Sequence, residues 1–315
     1  ARGGSPLGSN RVLDFAGLAS GARPEAGTVS SPAATGGPAG GDAAVRGPTP
    51  RSFGSDEAGA RFAAGRFPLP PVLFARPPHI VFLMLDTLRA DALASYGGAA
   101  NVMPAMNELA RNSVVFADVH TNASWTRASC ASIFTGLLPE EHGAARFHER
   151  LSESWVTLPE QLAAAGYQTA AFVANWVQVG YDTGFAQGFA REDFHELMSG
   201  KQILDQAGTG ADASEVRGAY ARAASVNKAA FEWLGGEDRD PYKPLFLYLH
   251  YLDPHSPYLE PPEPGTLSDP EERKRGLYRQ QLRYLDRQLA DLFARLDEVL
   301  AGPKVIVLTS DHGEE

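Results

Sequence analysis

The sequence predicts an α/β protein, a mostly parallel central sheet with helices on both faces, and three observations lead to that class. From Pro77 onward, short apolar runs rich in β-branched and aromatic residues alternate with amphipathic stretches, the pattern of a sheet covered by helices. Near the C-terminal end, Leu277, Leu282, Leu285, Leu289, Leu292, Phe293, Leu296 and Leu300 recur at a 3.6 spacing with Arg, Asp and Gln between them, which reads as a surface helix packed on that sheet. Three of the apolar runs pass directly into Asp or His, and the crevice outside the carboxyl ends of the strands is where open α/β sheets bind ligands.

Taken in order, residues 1–76 are dominated by Gly, Ala, Pro and Ser with neither helical nor strand period. Such a segment does not repay its ordering entropy by burial, so it reads as a disordered arm or linker. A tether between an anchor and the following domain is one use of such an arm. The domain proper spans 77–315. Its expected strands are HIVFLML (79–85), VVFADV (114–119), TAAFVA (169–174), LFLYLHY (245–251) and KVIVLTS (304–310). The expected helices lie near 104–112, 127–135, 157–165, 215–234 and 271–300, and the chain carries no internal repeat.

Composition narrows the function classes. The chain has 315 residues, 43% of them hydrophobic, and a formal net charge of -10, enough for one large core or two modest ones. A nucleic-acid backbone is held mainly by clustered Lys and Arg, and this acidic chain has no such cluster, so nucleic acid is excluded as a partner. No apolar run is long enough for a membrane span, and no basic patch followed by an apolar stretch marks a signal peptide. The chain opens at Ala1 and stops at Glu315 directly after a strand and an acidic loop, so both ends read as cut and the domain as truncated at its C-terminus. The single cysteine, Cys130, builds neither an internal disulfide nor a thiolate metal cage.

The chemistry-bearing residues sit at strand ends: Asp86 after HIVFLML, Asp253 and His255 after LFLYLHY, and Asp311 and His312 after KVIVLTS. An Asp after one strand is as readily a helix cap, but three strand ends together point to a site. Asp86, Asp311 and His312 form an oxygen and nitrogen donor set that suits Zn²⁺ or Mn²⁺. His250, inside an apolar strand, reads as a satisfied core histidine.

The segment ASWTRASCASIFTGLLPEEHG, from Ala123 to Gly143, resembles the nucleophile segment of sulfatases, members of the alkaline phosphatase superfamily. That family's pattern places a Cys or Ser nine residues before a Thr-Gly pair. Counting back from Thr135-Gly136 reaches Thr126, with Pro139 and His142-Gly143 in their expected places. IVFLMLDTLRAD is similar to the family's first strand and metal-binding Asp, HYLDPHSPY to its substrate-side Asp-Pro-His loop, and LTSDHGEE to its late metal pair. The resemblance runs from about Pro78 to the last residue, less familiar only near 176–215. It implies an alkaline-phosphatase-like fold and adds Thr126 to Asp86, Asp311 and His312 as a metal ligand and as nucleophile.

The departures carry information. Formylglycine sulfatases oxidise a Cys or Ser followed by Pro and Arg. Thr126 has a methyl on its β-carbon and does not yield that aldehyde, and Ala128 and Cys130 stand where Pro and Arg are usual. Cys130 itself lies four residues too late and reads as a small buried helix residue. A Thr at this place is what the phosphotransferase and phosphodiesterase branches use, so phosphoesters are favoured over sulfate esters. Position 126 also falls at the N-cap of the helix expected over 127–135, where unpaired N–H groups favour an anion. The family's Asp-Asp pair is here Asp86-Thr87, which disfavours a calcium site but leaves Ca²⁺ and Mg²⁺ behind Zn²⁺ and Mn²⁺ as candidate ions. GYQTAAFVANW lacks the Lys-Trp-His signature of many sulfatases. His255 is expected to bind the ester or protonate the leaving group; alternatively, Asp253 and His255 begin a second metal site. Arg89 pairs with Asp91 to hold its loop, and His142 supports the site without binding metal. The implied substrates are small-molecule, glycan or lipid esters, the implied location is outside the cytoplasm, and the rival readings are a sulfatase proper and a non-catalytic protein on the same scaffold.

Overall fold

A computed structural model describes residues 77–197, 221–256, 258 and 269–314. The arm expected over 1–76 lies outside these residues, as does the start of the helix expected from 215.

The described chain builds five strands, β1 (His79–Leu85), β2 (Gln168–Val173), β3 (Phe194–Glu196), β4 (Leu245–Tyr251) and β5 (Lys304–Thr309), in one sheet of order β3-β2-β4-β1-β5. Every pairing is parallel. Six helices accompany them: α1 (Pro104–Arg111), α2 (Thr126–Thr135), α3 (Pro139–His142), α4 (Leu158–Ala164), α5 (Ala223–Leu234) and α6 (Pro270–Val299).

Alternation along the strands builds a core on each face. Val81, Leu83 and Leu85 of β1 and Leu245, Leu247 and Leu249 of β4 join α5 and α6 on one side, while Phe82, Met84, Phe246 and Tyr248 meet Cys130 and Phe134 of α2 on the other. This two-sided burial is why β1 and β4 read as continuous apolar runs. Helix α6 buries Leu282, Leu285, Leu289, Leu292 and Leu296 almost completely, each contributing about 1.5–3 kcal/mol. Pro270 stands in its first turn and the Asp269 carboxylate accepts from Glu271 N at 3.1 Å, the arrangement that starts a helix at low cost.

Two sequence expectations are corrected. VVFADV (114–119) is no strand: among the described residues it pairs with none, and Phe116 and Val119 are 69% and 65% exposed. Strand propensity expresses itself only against a neighbour. Conversely, β3 was not foreseen, because three residues are too few to show a period; it exists through its pairing with β2, Ala171 opposite Phe194.

Candidate active site

The strand order determines which strand ends meet. β1 lies between β4 and β5, with Met84 opposite both His250 and Thr309, and β2 borders β4, with Val173 opposite His250. Residues just past these positions, Asp86, Asn175 and Asp311, therefore arrive at one crevice from three strands. Ligand atoms of Asp86, Asp311 and His312 all lie within 4.8 Å of one another, and both carboxylates are fully buried.

Thr126 reaches the same crevice from α2. Its Oγ1 is 3.4 Å from Asp86 Oδ2 and 3.3 Å from His312 Nε2. The N-cap expected at Thr126 is instead Trp125, in extended conformation and without a side-chain capping bond. Thr126 is thus the first helical residue, and its hydroxyl, not committed to capping, turns toward Asp86 and His312. Gly136, at φ 71°, ends the helix; only glycine adopts that left-handed conformation without cost, which accounts for the Thr-Gly pair. Cys130 is buried inside α2, and burial pushes its thiol pKa well up.

The two carboxylates are braced unequally. Asp86 Oδ2 accepts from Asn175 Nδ2 at 2.7 Å and lies 3.3 Å from His250 Nε2, while Oδ1 is buried and accepts nothing. Asp311 Oδ1 accepts from the backbone N–H groups of Thr87 (3.1 Å) and His312 (2.8 Å), while its Oδ2 is buried and accepts nothing. Ser129 Oγ, one turn along α2, donates to the Asp311 carbonyl at 2.6 Å. Thr87 is a buried β-branched residue at φ 58°, a conformation that costs about 1–3 kcal/mol. Its own hydrogen bond to Asp311 and one from Tyr278 to its carbonyl (2.9 Å) hold it there.

Burial opposes the charge on Asp86, but the His250 and Asn175 hydrogen bonds and the neighbouring imidazoles outweigh it, and the pKa is lowered. Asp311 goes the other way, raised first by burial and then by the charge of Asp86. Two buried carboxylates, each with one oxygen that accepts no hydrogen bond, face His312 Nε2 at 3.9 and 3.5 Å and form with it an oxygen and nitrogen donor set that a divalent cation fits.

A cavity of about 500 Å³ opens onto this set, lined by Thr87, Trp125, Thr126, Asn175, His255 and His312 among others. The exposed His255 stands on its wall with Nδ1 against Ser256 O. Asp253 faces α5 instead, whose start it caps: it accepts from Ala223 N at 2.7 Å and meets Arg222 Nε at 3.4 Å. Burial outweighs these partners and pushes its pKa to about 6. Among the described residues, Asp253 and His255 belong to no group of three candidate metal ligands. Arg89 pairs with Asp91 at 2.6 Å on the surface, where such a pair is worth little. His142 is buried, with Nδ1 accepting from Ala144 N at 3.0 Å and Nε2 3.2 Å from Ser132 Oγ, bracing α2 rather than facing the cavity.

Sequence reasoning did not assign Asn175 and His250 to this site. His250 is buried and hydrogen-bonded as a core histidine should be, yet its partner is Asp86. The one available signal for both was position, at or just past the carboxyl end of β4 for His250 and of its neighbour β2 for Asn175.

A family model described as Sulfatase matches residues 78–315. N-acetylglucosamine-6-O-sulfatase of Bacteroides thetaiotaomicron is 26% identical over 194 residues, 59% of this chain and 32% of that protein. Among solved structures, the phosphonate monoester hydrolase of Agrobacterium radiobacter superposes with TM-score 0.58 at 19% identity, covering 76% of this chain and 63% of that one. The C-terminal periplasmic domain of EcEptC from Escherichia coli, in complex with Zn, gives 0.56 at 19%, covering 77% and 65%. The chain spans about half or less of the curated relatives it matches. Its fold is shared with these two solved structures, and the chain belongs to the sulfatase family.

Proposed function

We propose that this chain is the nucleophile-bearing part of a metal-dependent hydrolase or transferase of phosphate or sulfate esters, with phosphoesters favoured and Thr126 as nucleophile. The observation that carries this reading is the approach of the Thr126 hydroxyl to Asp86 (3.4 Å) and His312 (3.3 Å), in a cluster where Asp86 and Asp311 are buried and each keeps one oxygen that accepts no hydrogen bond. Asp86, Asp311, His312 and Thr126 would hold the cation, Zn²⁺ or Mn²⁺, which supplies a lowered hydroxyl pKa and compensation of negative charge.

Electrostatics supports the same reading. Glu314 lines the cavity and the buried Asp86 and Asp311 cluster with His312 on its wall, so a cation held there would offset negative charge that opposes an anionic ester. Thr126 Oγ, its proton passed to solvent, attacks phosphorus or sulfur in line as the bond to the leaving oxygen breaks. His255 on the cavity wall delivers a proton to that oxygen. Water or a second alcohol then displaces Thr126 from the covalent ester.

The substrate is a small-molecule, glycan or lipid ester, and the working location is outside the cytoplasm. The sulfatase and periplasmic-domain relatives support this placement. Among the described residues no helix is long and apolar enough to cross a membrane.

Phosphate diester, phosphate monoester and aryl sulfate assayed in parallel on the full-length protein, before and after chelation, test the proposal. The expected result is turnover of a phosphoester that chelation removes and Zn²⁺ or Mn²⁺ restores. Preferred turnover of aryl sulfate favours a sulfatase proper, and absence of both turnover and bound metal favours a non-catalytic relative.

A further inference from the structure

Each carboxylate of the acidic pair has one oxygen engaged by protein donors and one that is bare, and the division at Asp86 is made by side chains. Asn175 brings its amide group to Oδ2 at 2.7 Å; facing an acceptor-only carboxylate, it presents its NH₂. His250 Nε2 lies 3.3 Å from the same oxygen, and its Nδ1 lies 3.3 Å from Tyr248 Oη. A carboxylate only accepts, so the His250 nitrogen that faces Asp86, Nε2, presents its hydrogen there, and Nδ1 is left to accept from the buried Tyr248 hydroxyl. Asn175 and His250 therefore both present hydrogens to Oδ2 of Asp86, which the Thr126 hydroxyl also meets at 3.4 Å, and Oδ1 is left without a donor. Asp311 shows the same division through backbone N–H groups.

We propose that Asn175 and His250 are positioning residues that restrict Asp86 to a single ligating oxygen and thereby make the site selective for a small four-coordinate cation over Ca²⁺. The inference rests on the metal reading of the site given above. With one oxygen from Asp86, one from Asp311, the His312 imidazole and the Thr126 hydroxyl, the protein offers four donors, the number a tetrahedral Zn²⁺ takes. Ca²⁺ takes six to eight oxygens and often uses both oxygens of a carboxylate. Donors already seated on Asp86 Oδ2 and Asp311 Oδ1 remove that option. Partners that orient a ligating carboxylate in this way commonly govern metal affinity by about 10–100-fold.

The test is Zn²⁺ and Ca²⁺ affinity of the full-length protein by chelator competition, for wild type, Asn175→Ala, His250→Ala and His250→Gln. Thermal midpoints of the metal-free proteins serve as a control on folding. Wild type is expected to bind one Zn²⁺ at the site and to prefer it to Ca²⁺. Asn175→Ala and His250→Ala are expected to lose Zn²⁺ affinity by about 10–100-fold and to narrow the preference over Ca²⁺. His250→Gln, which keeps a donor, should recover most of the loss. Should His250→Ala melt early, Asn175→Ala, on the cavity wall, decides alone. Unchanged Zn²⁺ affinity and unchanged preference in a folded Asn175→Ala protein overturn the positioning role and leave the proposed function standing. A wild-type protein that binds no divalent cation overturns both.

Discussion

Thr126→Ala is expected to abolish turnover, by at least about 10³-fold, while the protein keeps its fold. A loss of that size corresponds to about 4 kcal/mol of transition-state stabilisation, the scale expected when the group that forms the covalent bond is removed. The structural cost should be small by comparison. The Thr126 hydroxyl makes contacts of 3.3 and 3.4 Å only, too long to contribute more than about 1 kcal/mol, and Ala is the best helix former at a first-turn position. Thr126→Ser restores the hydroxyl without the methyl and should retain much of the activity. Steady-state rates on the best substrate, with urea midpoints alongside, separate a chemical from a structural effect.

Arg127→Ala should do the reverse, damaging the fold more than any chemical step. Arg127 is 3% exposed, and none of its hydrogen-bond partners is a carboxylate. Its Nε donates to Gln178 O at 3.1 Å, one terminal nitrogen to Glu149 O at 2.7 Å and to Phe147 O, and the other to Val177 O at 2.7 Å. The guanidinium also lies 5.5 Å from the Phe147 ring centroid. Burial lowers its pKa, and the four carbonyls are what compensate the charge. One side chain thus ties two loops to the start of α2, and Val177 and Gln178 line the cavity beside Thr126. Truncation leaves four part-buried carbonyls without this donor and opens a void where the buried side chain stood. The expected loss is about 3–5 kcal/mol, a large part of the roughly 5–15 kcal/mol that holds a domain together. Arg127→Lys should recover little, because a single ammonium does not reach four acceptors spread around a planar fork. Urea denaturation of the full-length protein checks this, and a loss under about 1 kcal/mol would be incompatible with it.

Much of the frame was legible because local pattern and fold agree. The runs that became β1, β2 and β4 are apolar enough to be buried on both faces, the edge strand β5 is a β-branched run although it stays partly exposed, and the leucine spacing of α6 is nearly uninterrupted over its C-terminal half. Asp86, Asp311 and His312 were legible because each directly follows an apolar run. What stayed hidden depends on which strands are neighbours. The order β3-β2-β4-β1-β5 brings Asn175 and His250 beside Asp86 across separations of 89 and 164 residues, and no short-range pattern encodes that. Thr126 was expected to cap its helix because Thr is a common cap. The structure gives that place to Trp125, and the hydroxyl meets Asp86 and His312 instead.

Whether Thr126 is the nucleophile is decided by identifying the residue that carries the covalent ester. The full-length, metal-loaded protein is mixed with a good phosphate or sulfate ester and quenched in acid within a turnover, and its peptides are sequenced by mass spectrometry. One phosphoryl or sulfuryl group is expected on the peptide that contains Thr126, located on that residue and missing when the metal is stripped beforehand. A group carried by another side chain during full-rate turnover would rule Thr126 out.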